Sequence, residues 1–220
     1  VNTEMIADYV ILDAVMIKKL PRKIAAATGV DALAHAIECY TSNKANPFSD
    51  VFALQALDMI LGNIQRACDD PEAMDAKNTM LLASFYAGVA ITASGTTAVH
   101  ALSYPLGGKY HIAHGGSNAI LLAPGMRFNE PACRPLLARV YDRCMTGDAG
   151  TEAEKSAAVI ARLEEIVKHL DIPTSLTEFG VPKEDLEALV ASGMEVTRLL
   201  VNNMREVTPD DARRIYQEVL

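Results

Sequence analysis

The chain has 220 residues, of which 50% are apolar and 22% are charged, and its formal net charge is −8. This length and apolar content suit one large domain or two small ones with a sizeable core, and the composition excludes a disordered chain. The acidic balance argues against nucleic acid or an anionic membrane as the main partner, because both need a basic face on the protein.

Cysteines and apolar runs indicate the environment of the chain. Cys39, Cys68, Cys133 and Cys144 lie far apart and form no CxxC pair, which favours a reduced, cytoplasmic setting with free thiols. No apolar run approaches the length of a membrane span, and no signal-peptide pattern opens the chain. The sequence starts at Val1 and reads as if entered partway through, so we expect a fragment of a longer protein.

The first half of the chain is predicted to be almost entirely helical. Residues 8–14 form a short apolar run that fits either a strand or an extended lead-in. Apolar residues at helical spacing follow, and Pro47 occupies a favoured first position of one helix. The predicted helices of this half cover residues 21–42, 46–67, 72–94, 97–105 and about 114–128, with a glycine-containing turn after residue 105.

The second half carries more amphipathic helices. Thr151 and Glu154 form a capping box at the start of a helix over 151–170. Helices over 181–200 and 208–220 both begin with proline and acidic residues, as helix N-termini prefer. The expected fold is an all-α, multi-helix bundle of about eight or nine helices. The turn at 146–151 is the candidate boundary between sub-bundles 1–146 and 151–220.

One short segment combines a carboxylate and an imidazole at helical spacing. Asp31 and His35 stand four residues apart, so both side chains lie on one helix face and can reach a single ion. Asp31 is the only charged residue from Gly29 to residue 36, and a buried carboxylate without a partner is costly. A cation would remove that cost. The alternative is that Asp31 caps a helix restarted after Gly29.

Two further histidines complete a candidate metal site. His100 and His114 belong to a segment that holds three of the five histidines of the chain. One aspartate with three imidazoles suits Fe²⁺ or Zn²⁺ better than Ca²⁺ or Mg²⁺, which prefer oxygen ligands. His100 taken alone fits a hydrogen-bonded core histidine, but the four residues together favour a metal.

These residues lie in two long motifs that resemble the iron-containing (group III) alcohol dehydrogenases. The motifs are ATGVDALAHAIECYTSNKANPFSD at 27–50 and HALSYPLGGKYHIAHGGSNAILL at 100–122, and the resemblance covers nearly the whole chain. It implies the C-terminal, all-helical metal domain of a dehydroquinate-synthase-like/iron alcohol dehydrogenase fold. It also carries the four metal ligands of the family onto this sequence: Asp31, His35, His100 and His114.

The chain departs from the pattern of that family at two motif positions. The family usually has a histidine four residues after its third ligand, near the nicotinamide and substrate, where this chain has Tyr104. A phenol still donates a hydrogen bond, but its pKa of about 10 makes it a poor base at neutral pH. His111 is the other candidate for the proton relay, unless it is simply an exposed loop histidine. The closing motif of the family reads here as Asn203, Met204 and Arg205.

The nucleotide-binding part of the family has no counterpart in this sequence. The Gly-Gly pairs at 107–108 and 115–116 follow no predicted strand and form no GxGxxG pattern. We expect Gly115 and Gly116 to open a helix or to let the backbone approach the metal or cofactor. The resemblance therefore implies the metal-binding half of an NAD(P)-linked enzyme that interconverts small primary alcohols and aldehydes. The missing partner is an N-terminal nucleotide-binding domain, the assembly is a homo-oligomer, and the isolated chain is expected to be inactive.

Three alternatives stay open at this point. One is a zinc enzyme of the glycerol-dehydrogenase-like or dehydroquinate-synthase-like kind. A second is a helical oligomerisation module with a purely structural metal. A third is a metal-dependent hydrolase on an unrelated bundle, in which Glu38, one turn from His35, would act as the base.

Overall fold

The chain folds as a bundle of helices, in a computed structural model that describes residues 3–220. Within this range there are nine α-helices and no β-strand, which confirms the all-α prediction. The helices are α1 (Arg22–Tyr40), α2 (Pro47–Asp69), α3 (Met74–Ser94), α4 (Ala98–Tyr110), α5 (His114–Cys144), α6 (Glu152–His169), α7 (Leu186–Met194), α8 (Thr197–Leu200) and α9 (Pro209–Gln217). Short 3-10 turns cover Thr3–Met5, Ala14–Ile17, Leu176–Phe179 and Lys183–Asp185.

Local capping signals fix where several of these helices begin. Asn46 accepts hydrogen bonds from the backbone of Phe48 and Ser49 at the start of α2. The capping box predicted at Thr151 and Glu154 is present at the start of α6, and its two hydrogen bonds measure 3.2 and 2.9 Å. Each box satisfies backbone donors that have no partner within the helix.

Two other predicted boundaries are wrong. Helix α4 does not end at residue 105 but continues through Pro105, Gly107 and Gly108 to Tyr110. The segment 181–200 is divided among a 3-10 turn, α7 and α8. In both cases tertiary packing decides the outcome, because intrinsic propensity contributes only a fraction of a kcal/mol per ordinary residue, on the order of 0.5. Of the two alternatives for residues 8–14, the strand is absent and the segment before residue 14 is irregular, as expected of an extended lead-in.

Helix α5 is the largest deviation from the predicted elements. It was expected to end near residue 128 but runs for 31 residues through Pro124, Pro131 and Pro135. Each proline removes one backbone donor. The helix nevertheless continues, because it packs against α1, α4, α6 and α9, and its buried face belongs to the main core cluster.

The main core is a cluster of buried apolar side chains from α1 to α7 and α9, and a second, small cluster consists of Ala67, Ala73 and Ala76. The helices α2 and α3 pack against each other and against α1. The proposed division into sub-bundles stays a prediction.

Within the described part of the chain, no single helix is long and apolar enough to cross a membrane. Helices α3 and α4 together have the required length and apolar composition, but the chain bends by 107° between them.

Two glycines let α5 approach its neighbours closely. A Cβ atom at Gly115 would lie 2.1 Å from the carbonyl oxygen of Ala27 on α1. A Cβ atom at Gly125 would lie 2.7 Å from Cγ2 of Val99 on α4. The first turn of α5 is thereby held against the N-terminal half of α1. The expectation that Gly115 and Gly116 open a helix is confirmed, because α5 begins at His114, and the backbone that lies close to Gly115 is that of α1.

The closing motif ties the C-terminal segment to the start of α4. The side-chain amides of Asn203 and Asn129 exchange two hydrogen bonds, of 2.6 and 2.9 Å, in a buried position. The side-chain oxygen Oδ1 of Asn203 also accepts from the backbone N–H of Ala98 at 3.3 Å. The guanidinium of Arg205 lies over the ring of Phe128 at 4.1 Å and donates to its carbonyl oxygen.

Candidate metal centre

Three helices bring four side chains to one point. Helix α1 supplies two of them one turn apart, α4 supplies one from its third residue, and α5 supplies one from its first residue. Each offers one nitrogen or oxygen atom, and these atoms all lie within 4.8 Å of one another. We call this group the ligand cluster: Asp31, His35, His100 and His114.

Asp31 lies at the centre of the ligand cluster. Its Oδ1 atom is 3.5 Å from Nε2 of His114, 3.6 Å from Nε2 of His100 and 4.0 Å from Nε2 of His35. Two ligands bound at about 2.1 Å to one ion at the tetrahedral angle lie about 3.4 Å apart. The separations around Oδ1 are therefore close to those of atoms that share one ion.

Burial falls off across the ligand cluster in one direction. The His100 side chain is 2% exposed, whereas Asp31 and His35 are 19% and 24% exposed. His114 is 51% exposed. A small molecule therefore reaches the cluster from the side of His114.

Glu38 orients the buried member of the ligand cluster. This fully buried carboxylate lies one turn after His35 on α1. Its Oε1 atom accepts from the backbone N–H groups of Thr97 and Val99, at 2.9 and 3.0 Å, and from the Thr97 hydroxyl, and so closes the N-terminal end of α4. Its Oε2 atom contacts Nδ1 of His100, so that Nε2 of the same ring points into the cluster.

These contacts exclude two of the alternatives raised by the sequence. Both oxygens of Glu38 are engaged with α4, so a role for Glu38 as a hydrolytic base is wrong. Asp31 is not a helix cap either, because α1 continues without a break through Gly29.

The charge states of the ligand cluster follow from burial and from its neighbours. Burial lowers the pKa of His35, which keeps its imidazole neutral. Burial opposes the charged form of His100 as well, but the carboxylates of Glu38 and Asp31 raise its pKa to about 9. Burial opposes ionisation of Asp31, yet the hydrogen bonds and charges of the surrounding imidazoles hold its pKa below its usual range.

The donor set fits a borderline divalent cation. Three imidazole nitrogens and one carboxylate oxygen are the ligands that Fe²⁺ and Zn²⁺ accept in proteins. Among the described residues the ion-pair partners of Asp31 are imidazoles, with no lysine or arginine to neutralise it. The outer contact from Glu38 to His100 is the kind of carboxylate–histidine support that metal-binding imidazoles usually have.

The two candidates for the proton relay lie at different distances from the ligand cluster. The Tyr104 ring lies 6.1 Å from the His114 ring, and its hydroxyl accepts from Arg198 at 3.3 Å. His111 ends α4 in the left-handed backbone conformation, with φ of 55°. Its exposed side chain makes no hydrogen bond or ring contact with the rest of the described chain. Both roles stay predictions.

Sequence reasoning missed one residue of the site. Asn118 is fully buried, and its Nδ2 atom lies 2.6 Å from Oδ1 of Asp31. It also lies 3.1 Å from Nε2 of His100 and 3.2 Å from Nε2 of His114. The signal available in the sequence was its position four residues after His114, on the same face of α5.

A cavity in the described part of the chain lies away from the ligand cluster. It has a volume of about 650 Å³ and is lined by the segment 17–22 and by parts of α1, α2 and α3. None of the four ligand-cluster residues lines it.

Comparison with known proteins gives one consistent family. A profile described as "Fe-containing alcohol dehydrogenase family, C-terminal" matches residues 25–220. The long-chain-alcohol dehydrogenase 1 of Geobacillus thermodenitrificans is 36% identical over 215 residues, which cover 97% of this chain and 54% of the relative. The NAD-dependent methanol dehydrogenase of Bacillus methanolicus is 33% identical over 212 residues, covering 96% of this chain and 55% of the relative.

A solved structure agrees with these relatives. The crystal structure of a 1,3-propanediol oxidoreductase superposes with a TM-score of 0.91 at 29% identity, over 94% of this chain and 55% of that chain. The chain thus spans about half the length of the relatives that it matches.

Proposed function

Because this chain belongs to the Fe-containing alcohol dehydrogenase family, we propose that it supplies the metal centre of an NAD(P)-linked alcohol dehydrogenase or aldehyde reductase. One divalent ion, Fe²⁺ or alternatively Zn²⁺, is held by the ligand cluster. The observation that carries the proposal is the convergence of three imidazole Nε2 atoms on one oxygen of Asp31, at 3.5 to 4.0 Å.

Each residue of the site has a part in this function. When bound, the ion supplies Lewis-acid polarisation of the substrate oxygen. Asp31 contributes the anionic charge, and Glu38 holds His100 in one orientation. The exposed side of His114 admits a small primary alcohol or aldehyde. Tyr104 lies beside that opening and donates a hydrogen bond to the substrate oxygen. The alternative is that His111 or water relays the proton.

The nicotinamide cofactor is proposed to bind mainly outside these residues. The described residues form no strand, so they contain no strand–loop–helix unit for a dinucleotide. The relative from Bacillus methanolicus is named as NAD-dependent, which supports a nicotinamide partner for the whole protein. We therefore expect the isolated chain to bind metal without turning over alcohol, and to act with a nucleotide-binding domain in a homo-oligomer.

Metal content tests the first part of the proposal. Protein purified without oxygen should contain close to one equivalent of iron or zinc by elemental mass spectrometry. His100→Ala should lose it, whereas His169→Ala, which changes a histidine outside the ligand cluster, should keep it. Wild-type protein that binds no metal under these conditions, even after incubation with Fe²⁺ or Zn²⁺, would contradict the proposal.

Cofactor oxidation tests the second part. The metal-loaded chain is mixed with NADH or NADPH and a short aldehyde, and absorbance is followed. No turnover is expected. A rate comparable to that of ordinary dehydrogenases, with kcat on the order of 1–10³ s⁻¹, would show that the chain needs no further domain.

The alternative of an oligomerisation module with a structural metal is tested by adding a small alcohol to protein loaded with Co²⁺. If the coordination shell is closed, the alcohol cannot bind the ion, and the visible spectrum of the bound Co²⁺ stays unchanged.

A further inference from the structure

The side chain of Asn118 lies among the atoms that face the metal position. Glu38 provides the contrast: it contacts Nδ1 of His100, the nitrogen that points away from the ligand cluster. Asn118 instead contacts Oδ1 of Asp31 and the Nε2 atoms of two imidazoles, which point inward. A residue that only supports ligands binds their outer atoms, as Glu38 does. Asn118 binds the atoms that a metal ion would use.

An amide nitrogen cannot keep these contacts once a cation is bound. The two hydrogens of Nδ2 carry partial positive charge and serve the Asp31 carboxylate and an imidazole nitrogen. Each imidazole nitrogen has a single lone pair, which a divalent ion takes, and the ion repels the hydrogens of the amide beside it. The NH₂ group and the ion therefore compete for one set of acceptors.

The other end of the amide shows the cost of this arrangement. The Oδ1 atom of Asn118 is buried and has no hydrogen-bond partner among the described residues. A buried polar atom without a partner is unfavourable, and native proteins rarely keep one without a reason. The gain that offsets it is the 2.6 Å hydrogen bond to the carboxylate of Asp31. This bond stabilises the charged Asp31 in the absence of metal.

We propose that Asn118 is a positioning residue that holds the ligand cluster together when no metal is bound, and that its NH₂ group leaves the cluster when the ion enters. This inference rests on the proposed function. It adds a competition between a protein side chain and the metal, which weakens metal binding and stabilises the metal-free chain.

The affinity for Zn²⁺ gives the main test, because zinc is stable in air and needs no cofactor. Asn118→Ala and the isosteric Asn118→Leu are compared with the wild-type chain after removal of metal by a chelator. Both variants should have a lower Tm without metal and nearly the wild-type Tm with saturating zinc. Their Kd for zinc should be tighter by roughly tenfold, because loss of a hydrogen bond to a charged group raises only the metal-free state. Ser117→Ala serves as the matched control, since its buried hydroxyl donates only to the backbone carbonyl oxygen of Ala113, the residue before α5.

The other outcomes overturn the inference. A Kd for zinc that is tenfold higher in the variants than in the wild type would mean that Asn118 supports the metal-bound site. Equal losses of Tm with and without metal, at unchanged Kd, would mean a purely structural role. Wild-type protein that binds no zinc would overturn the proposed function and this inference together, whereas zinc binding unaffected by Asn118 would overturn the inference alone.

A measurement on the wild-type chain keeps the inference testable if the variants do not fold. In protein labelled with ¹⁵N-asparagine, the side-chain amide signal of Asn118 should shift on addition of one equivalent of Zn²⁺, and its hydrogens should exchange faster with solvent. The signals of the paired amides Asn129 and Asn203 should stay unchanged. An Asn118 amide signal that is the same with and without bound zinc would overturn the inference.

Discussion

Glu38 lies against Nδ1 of His100, on the side of the imidazole that faces away from the other three ligand-cluster residues. The same carboxylate closes the first turn of α4 through the backbone N–H groups of Thr97 and Val99. One side chain therefore caps the helix that carries His100 and also orients its ring. This double role makes Glu38 a sensitive position for testing the site.

Glu38→Ala should lower both the stability and the metal affinity of the chain. Removal of the carboxylate leaves buried backbone donors of α4 without a partner, at a cost of about 2–4 kcal/mol. Metal affinity should fall about 10- to 100-fold, because the His100 ring is no longer held. Chemical denaturation and zinc titration measure the two effects. Glu38→Gln keeps the shape and should lose less stability; equal zinc affinity in Glu38→Ala and wild type would contradict the orienting role.

Gly115→Ala should separate α5 from α1. The added Cβ would lie 2.1 Å from a backbone oxygen of Ala27, and backbone cannot move aside as a flexible side chain does. We expect a loss of about 3 kcal/mol in the free energy of unfolding. Gly62→Ala on α2 is the control, since a Cβ there meets nothing within 4 Å. It should stabilise the chain by about 0.5–1 kcal/mol. Similar free energies of unfolding for the two variants would contradict the close approach.

Asn203→Ala should destabilise the chain through its buried partner. The side-chain amide of Asn129 would lose two hydrogen bonds without gaining water, a loss of about 2–3 kcal/mol in unfolding free energy. Asn63→Ala is the control, because the Asn63 amide bonds only to Met59 within its own helix and is half-buried. If both substitutions have the same small effect on the denaturation midpoint, the Asn129–Asn203 pair does not stabilise the fold.

Tyr104 variants separate the two proposed proton relays in the whole enzyme. Tyr104→Phe should lower kcat for aldehyde reduction about 10- to 100-fold if the phenol donates to the substrate oxygen, while metal content stays the same. His111→Ala should then have little effect. The reverse pattern, with His111→Ala the slower variant, would assign the relay to His111.

Acid should weaken the capping box that Thr208 and Asp211 form at the start of α9. Burial opposes ionisation of Asp211, but hydrogen bonds from Thr208 and Arg214 hold its pKa below the usual range. The ionised Asp211 carboxylate therefore stabilises the folded chain at pH values above its unfolded-state pKa of about 3.9. This stabilisation is lost as the pH falls through the lower pKa of the folded state. The stability difference between wild type and Asp211→Asn should be constant from pH 7 to pH 5 and shrink below about pH 4. A stability difference that stays the same at all pH values would contradict stabilisation by the ionised carboxylate.

The parts of the fold that were predictable are those fixed by neighbouring residues. Asn46 and Thr151 cap helices through bonds that span three residues, so the sequence alone locates them. The full length of α5 was not predictable, because its prolines indicate a break and the burial that overrides them comes from distant helices. Helical spacing paired Asp31 with His35, the grouping of histidines added His100 and His114, and the family resemblance implied the same four residues. Asn118 was missed, and Glu38 was assigned a different role, because their contacts depend on how α1 and α5 meet α4.

The ligand cluster also bears on the order of folding. Its first and last residues, Asp31 and His114, are separated by the C-terminal half of α1, all of α2 to α4 and the turns between them. The hairpin of α2 and α3 can form from local contacts, but it contributes no ligand. Closure of so long a loop is slow compared with helix formation. On the proposed function, high-affinity metal binding therefore requires the native crossing of α1, α4 and α5, and a chain in which these helices have not met lacks the complete ligand set.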